Sequence, residues 1–159
     1  MASLKKVLRK KKYVRIKLKK IVTNHLEVTA KINGVEGRFI LDTGASNSCV
    51  GLDLKEFFKL TSEESEIKAA GAGATDMETH KSENNTIKIG GWKLNNCHLV
   101  LFNLMHVNTA LKQHNADEVH GIIGADVLEK GKAFIDYDKK VLYLKKVKKK
   151  KLRKLELPF

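Results

Sequence analysis

The chain is short of cysteine, of aromatic residues and of long apolar runs. Two cysteines, Cys49 and Cys97, are too few for a disulfide framework. Cys49 is followed by Val50 and Cys97 lies two residues before the apolar run Leu99–Phe102, which predicts two free, buried thiols and a reducing compartment. No segment approaches the ~18 apolar residues of a membrane span. The N-terminus is basic but no apolar stretch follows it, which argues against a secretory signal and predicts a cytoplasmic protein. With so few aromatics, the core has to come mainly from aliphatic side chains. A chain of 159 residues can bury such a core as one domain and leaves little for a second.

Acidic residues are nearly missing from both ends. Residues 1–20 carry ten Lys or Arg and no acid, and residues 145–154 carry eight more and no acid. The formal charge of +13 belongs to these ends: residues 21–144 hold thirteen basic and seventeen acidic residues, a net −4. Three parts follow: a basic N-terminal arm at 1–12 that is a candidate for disorder, a folded domain at 13–146, and a lysine-rich tail at 147–159. The charged ends read either as solvated tails that aid solubility or as weak contacts for a nucleic acid or an anionic surface. No aromatic-studded RNA-binding signature accompanies the lysines.

Between the ends the dominant period is two. Val14, Ile16 and Leu18 alternate with Arg15, Lys17 and Lys19, and Leu26, Val28, Ala30 and Ile32 alternate with Glu27, Thr29 and Lys31. Both runs predict half-buried strands. Asn33-Gly34 predicts a tight hairpin turn, because both residues tolerate positive φ. The return strand, Val35 to Leu41, delivers Asp42. Cys49-Val50 predicts a short strand, and Asp53 a helix cap for a helix to about Leu60 with Leu54, Phe57 and Phe58 on its apolar side. Thr61 to Glu66 reads as a polar surface loop. Strands follow at Thr86–Ile89, Leu99–Phe102 and Ile122–Ile123, with a turn at Gly90-Gly91 and a helical stretch around Ala110–His114. Asp126 to Lys130 predicts a short helix ended by Gly131, and Phe134–Tyr137 with Val141–Leu144 a last hairpin. The pattern is all-β with one to three short helices.

Within it, Phe39-Ile40-Leu41-Asp42-Thr43-Gly44-Ala45-Ser46 stands out. Three apolar residues of a buried strand run directly into a carboxylate, a hydroxyl and a glycine. Burying an unpaired charge is costly, so an Asp at that place needs a purpose. The arrangement predicts a carboxylate in a tight, partly desolvated turn, with Gly44 allowing close approach and Thr43 tying the loop to a neighbour.

This run resembles the active-site loop of the retropepsin-like aspartic proteases, an apolar strand followed by Asp-Thr-Gly-Ala or Asp-Thr-Gly-Ser. Gly121-Ile122-Ile123-Gly124-Ala125-Asp126-Val127-Leu128 resembles the apolar-apolar-Gly motif and short helix that close that fold. The glycine-rich Ala70-Gly71-Ala72-Gly73-Ala74 lies between them, where the family carries its flap. The resemblance spans about Leu26 to Leu144. It implies a closed retropepsin-like β-barrel, an acid-protease half, and peptide or unfolded-protein substrates with no cofactor and no metal. It also implies that Asp42 is the acid/base, that Thr43 bonds across a dimer, that the Gly44 amide donates to the carboxylate, that Gly124 packs behind the loop, and that Gly71 and Gly73 belong to the flap. Residues 103–118 look like an insertion relative to the shortest family members.

Aspartic protease chemistry needs two carboxylates about one water apart, sharing a proton. This chain has one Asp-Thr-Gly; Asp76, Asp126 and Asp136 lack a matching loop. The second carboxylate therefore has to come from a second copy, which predicts a two-fold homodimer. Ala45 cannot offer the carboxylate the hydroxyl that Ser or Thr would there, which predicts a less acidic pH optimum. A catalytically silent dimerisation or peptide-binding domain and a basic-tailed nucleic-acid-binding module are the alternatives. Other chemistries fit worse. His106, His114 and His120 match no zinc spacing, no phosphate-cradling glycine motif occurs, and Gly44-Ala45-Ser46-Asn47-Ser48 is not a nucleophile elbow.

Overall fold

The computed structural model describes residues 2–71 and 74–148, with the backbone alone over 64–71 and 74–77; most of the lysine-rich tail therefore lies outside the described residues. Its first organising unit is the hairpin read from Asn33-Gly34. Both residues have positive φ, and β3 (Leu26–Ile32) pairs with β4 (Val35–Leu41) in the register Ile32 opposite Val35 through Leu26 opposite Leu41. Beyond β4 lie β5 (Cys49–Gly51), β6 (Glu63–Gly71), β7 (Ala74–Ile89), β8 (Trp92–Phe102) and β9 (Gly121–Ile123). Strands β3-β4-β9-β5-β8-β7 are neighbours in that order, and Lys31 and Ile32 of β3 pair with Lys88 and Ile87 of β7. The sheet thus closes into a six-stranded barrel. β6 extends β7 outside it, and β2 (Lys19–Lys20) extends β3.

The inward face of each strand supplies the core. Val28, Ala30, Ile32, Phe39, Leu41, Ile87, Ile89, Leu99, Leu101 and Ile123 pack around Trp92 and Phe58. Each fully buried side chain of this size contributes on the order of 1.5–3 kcal/mol of transfer free energy. Cys49 and Cys97 are free and buried. Glu27 departs from the predicted alternation and is buried in β3, opposite Ile40 on one side and Lys19 on the other.

A second, three-stranded sheet joins the two ends: β1 (Tyr13–Lys17), β11 (Val141–Lys145) and β10 (Phe134–Asp136), with β11 in the middle. Its inner face adds Ile16, Leu142 and Leu144 to the core. The Trp92 indole N–H donates to the Lys145 carbonyl at 2.9 Å and fastens this sheet to the barrel.

Some local expectations need correction. The basic arm is not disordered. Ser3 accepts the Lys6 amide and caps α1 (Leu4–Lys10), whose Leu8 is buried against Val141 and Tyr143. The stretch after Asp53 is one 3-10 turn at Leu52–Leu54 with Gly51 as its N-cap, followed by turns up to Lys59, which takes a positive φ. That reversal buries Phe58 but leaves Phe57 half exposed, stacked on the His120 ring. The polar run from Thr61 is a loop only to Ser62, because β6 starts at Glu63 and takes its partner from β7. The helical stretch around Ala110–His114 is real but begins earlier, as α2 (Met105–Gln113), where the Asn103 side chain accepts the Met105 amide. α3 (Ala125–Lys130) ends at Gly131 as expected. Among the described residues no helix is long and apolar enough to cross a membrane.

Burial pushes both thiols up from an ordinary value of 9.0 to about 12. Two outcomes are expected. Folded protein resists thiol alkylation at pH 8 and reacts once unfolded in urea. The folded state also holds these protons more tightly than the unfolded chain. Their contribution to stability is therefore complete below pH 9.0 and is lost as the pH rises towards about 12. Urea denaturation as a function of pH measures this, and the decline is shallower in Cys49→Ala.

Candidate active site

Asp42 owes its place to a parallel pairing. β4 and β9 run side by side with Phe39 opposite Gly121, Ile40 opposite Ile122 and Leu41 opposite Ile123. Both strands therefore end together, and Asp42 emerges beside Gly124. The Asp42 amide donates to the Ile123 carbonyl at 2.9 Å, continuing the ladder by one step. The loop then closes on itself: Ala45 N donates to the Asp42 carbonyl at 3.2 Å, and Gly44 N to Asp42 Oδ1 at 2.9 Å. A Cβ on Gly44 would lie 3.3 Å from that same oxygen, so the glycine keeps the amide close to the carboxylate.

Gly124 lies directly against the loop. A Cβ there would come within 2.5 Å of the Ala45 carbonyl oxygen and 3.1 Å of the Asn47 backbone. The same Ala45 oxygen accepts the Ala125 amide at 2.7 Å. Gly121, three residues earlier, is equally confined: its Cβ would meet the Cys49 carbonyl oxygen at 2.1 Å.

The sequence reading missed the residue that fastens the far end of the loop. Asp126 Oδ1 accepts three hydrogen bonds, from Ser48 N at 2.9 Å, Ser48 Oγ at 2.7 Å and Val127 N at 2.8 Å. The Ser48 hydroxyl oxygen in turn accepts the Gly124 amide at 2.8 Å. Asp126 is thus engaged in holding the loop. The available signal was an Asp in the first turn of a short helix directly after the apolar-apolar-Gly motif.

Asp42, Thr43 and Gly44 are exposed in the single chain, and Ala45 is half-buried. The carboxylate is exposed rather than partly desolvated, because nothing among the described residues of one chain covers the end of β4. Among the described residues the Thr43 hydroxyl has no partner. Gly71 pairs with Ala74 at the outer end of the β6–β7 hairpin, and Gly73 lies outside the described residues.

Beside Asp42 opens a cleft of about 1080 Å³. Ile40 and Ile122 line it from the barrel, Val107 and Leu111 from α2, and His25, His106 and His114 supply imidazoles. The segment 103–118 therefore forms a wall of the space next to the carboxylate, a placement its sequence did not disclose. An apolar floor with a few polar groups is what a peptide side chain needs for burial and orientation.

A sequence profile of the family described as aspartyl protease matches residues 28–127. No sequence match to a curated protein was found. A retropepsin-like aspartic protease from Rickettsia conorii is similar in structure, with a TM-score of 0.53 and 19% identity over 83% of this chain and 91% of the other. The retroviral protease-like domain of Ddi1 from Leishmania major is similar with a TM-score of 0.52 and 17% identity, over 80% of this chain and 98% of that domain. The family profile spans well over half of the chain and the barrel is common to these structures, so the protein belongs to the aspartyl protease family and has the retropepsin-like fold.

Proposed function

We propose that the protein is an aspartic endopeptidase that acts on peptide or unfolded-protein substrates as a homodimer. The observation that carries this is the Asp42 carboxylate, held by the Gly44 amide, exposed at the end of β4 and open to a cleft of peptide dimensions. One chain supplies half of the chemistry. Two Asp42 side chains across a two-fold axis would share one proton. The ionised member takes a proton from the water between them as it attacks the peptide carbonyl, and the protonated member donates to the carbonyl oxygen. In this arrangement the unpartnered Thr43 hydroxyls bond across the axis, Gly44 and Ala45 shape the loop, Gly124 backs it, and the hairpin bearing Gly71 and Gly73 covers substrate.

Asp42→Asn is expected to lower kcat on an unfolded protein by at least about 100-fold, the scale of a lost general base. Diluting the wild type should lower activity per chain. Equal rates for the wild type and the Asp42→Asn variant would leave the silent peptide-binding domain as the better reading. Ala45→Ser adds a donor beside the carboxylate and is expected to move the acidic limb of the pH–rate profile to lower pH. Asp126→Ala strands three donors and should cost about 3 kcal/mol in urea denaturation, since each unmet buried group costs about 1–3 kcal/mol. Asp126→Asn keeps an acceptor oxygen and should cost less than half as much.

A further inference from the structure

One strongly charged face of the molecule has no part in the proposed reaction. It is built on the three-stranded sheet. Arg15 stands opposite Tyr143 and Lys17 opposite Val141 across the β1–β11 pairing. Directly opposed residues share a sheet face, so both cations lie on the side that carries Tyr143 and Val141. α1 packs on that same side through Leu8. Of the apolar residues of α1 only Leu8 is buried against the sheet, Leu4 and Val7 are partly exposed, and Lys5, Lys6, Arg9 and Lys10 occupy the rest of the helix. All four, with Arg15 and Lys17, are exposed.

The two ends are joined at this place by their backbones. Lys146 N donates to the Lys12 carbonyl at 3.0 Å, and Leu18 N to the Lys140 carbonyl at 2.9 Å. Among the described residues the ion pairs are Arg38–Asp117, His80–Glu78 and Lys112–Glu118, so no cation of residues 2–20 is paired with a described carboxylate. The acids on this sheet are Asp136 in β10 and Asp138 in the turn after it, and Asp136 accepts the Lys139 amide.

We propose that this face binds nucleic acid through its phosphodiester backbone, without reading sequence. Six exposed cations on a folded helix and its neighbouring strand form a rigid cationic surface, and duplex DNA presents a polyanion of about one charge per 1.7 Å. A lipid surface takes an amphipathic helix with a broad free apolar face, whereas α1 is seven residues long and commits Leu8 to the sheet, which leaves only Leu4 and Val7 partly exposed. The outward side of α1 carries no aromatic residue to stack on bases, which favours a duplex over a single strand. Proteolysis is not needed for this interaction.

The test is fluorescence anisotropy of the full chain with labelled 20-base-pair DNA duplexes of two unrelated sequences, between 50 and 200 mM salt. Equal affinity for both duplexes is expected. Contact with about six phosphates gives a log–log salt slope near −5. The variant Lys5→Gln/Lys6→Gln/Arg9→Gln/Lys10→Gln keeps Leu4, Val7 and Leu8 and good helix formers. It should flatten the slope to about −2 and weaken binding at least tenfold at 100 mM. Circular dichroism confirms the fold, and Arg15→Gln/Lys17→Gln gives a second reading on the strand, with a slope near −3.5. Undiminished binding by both variants, loss of binding only on deletion of residues 149–159, or binding to phosphatidylserine vesicles but not to duplex would overturn the proposal.

Discussion

The candidate site depends on the insertion of β9 between β4 and β5. The strand is three residues long, yet it pairs in parallel with β4 and antiparallel with β5. Its first residue faces the Cys49 carbonyl so closely that a methyl group has no room. Glycine at 121 is thus a condition of the strand's position, and the strand's position is a condition of the loop. A side chain there would push β9 off β5, and the Asp42–Ile123 bond and the Gly124–loop contact would go with it. The pairing also joins segments about eighty residues apart in sequence. Such a contact forms late, after the entropy of closing a long loop has been met, so the site should assemble only with the whole barrel.

In the proposed mechanism a single chain is chemically unfinished, and the geometry of the loop supports that reading. The loop spends its backbone donors and acceptors internally: the Gly44 amide on the carboxylate, the Ala45 amide on the Asp42 carbonyl, and the Ala45 carbonyl on α3. What remains unspent among the described residues, the second oxygen of the Asp42 carboxylate and the Thr43 hydroxyl, is exposed at the end of β4. An isolated carboxylate in water is a weak base with no proton donor beside it. A second one within a water's width changes both partners, because two such charges cannot both ionise easily. The exposure of Asp42 in one chain is therefore what the proposed two-fold pairing requires.

The features legible in the sequence were those whose cause is local. Asn33-Gly34 specifies its turn by backbone conformation alone, the alternation in 26–32 specifies a strand by its faces, and Gly131 stops α3. The Asp42 loop was legible because an Asp directly after an apolar strand contradicts the local cost of burying charge. What was missed is set by partners distant in sequence. Glu63 to Gly71 has little strand character of its own and is a strand because β7 is available beside it. Leu8 makes α1 a folded element only because Val141 and Tyr143 offer a surface over a hundred residues away. Nothing in the sequence links Ser48 to Asp126, and the pairing of β5 with β9 brings them together. The same holds for α2: its helical signal was visible, and its place beside Asp42 was not.

Like-charged ends are expected to repel, yet the fold brings the two ends of one chain into a single sheet. The magnitudes explain it. Two exposed unit charges about 10 Å apart in water repel by about 0.4 kcal/mol, and salt reduces this further. Burying one Ile or Leu contributes about 1.5–3 kcal/mol, and the pairing of β1 with β11 buries Ile16, Leu142 and Leu144. With β11 in the centre, the sheet is left with two outer strands. β1 presents Arg15 and Lys17, so two copies meeting there would align like charges along an edge, a familiar defence against unwanted strand pairing. β10 presents Phe134, Ile135 and Asp136 and has no cation. The charge distribution therefore opposes association along one outer strand far more than along the other, although both belong to the same small sheet.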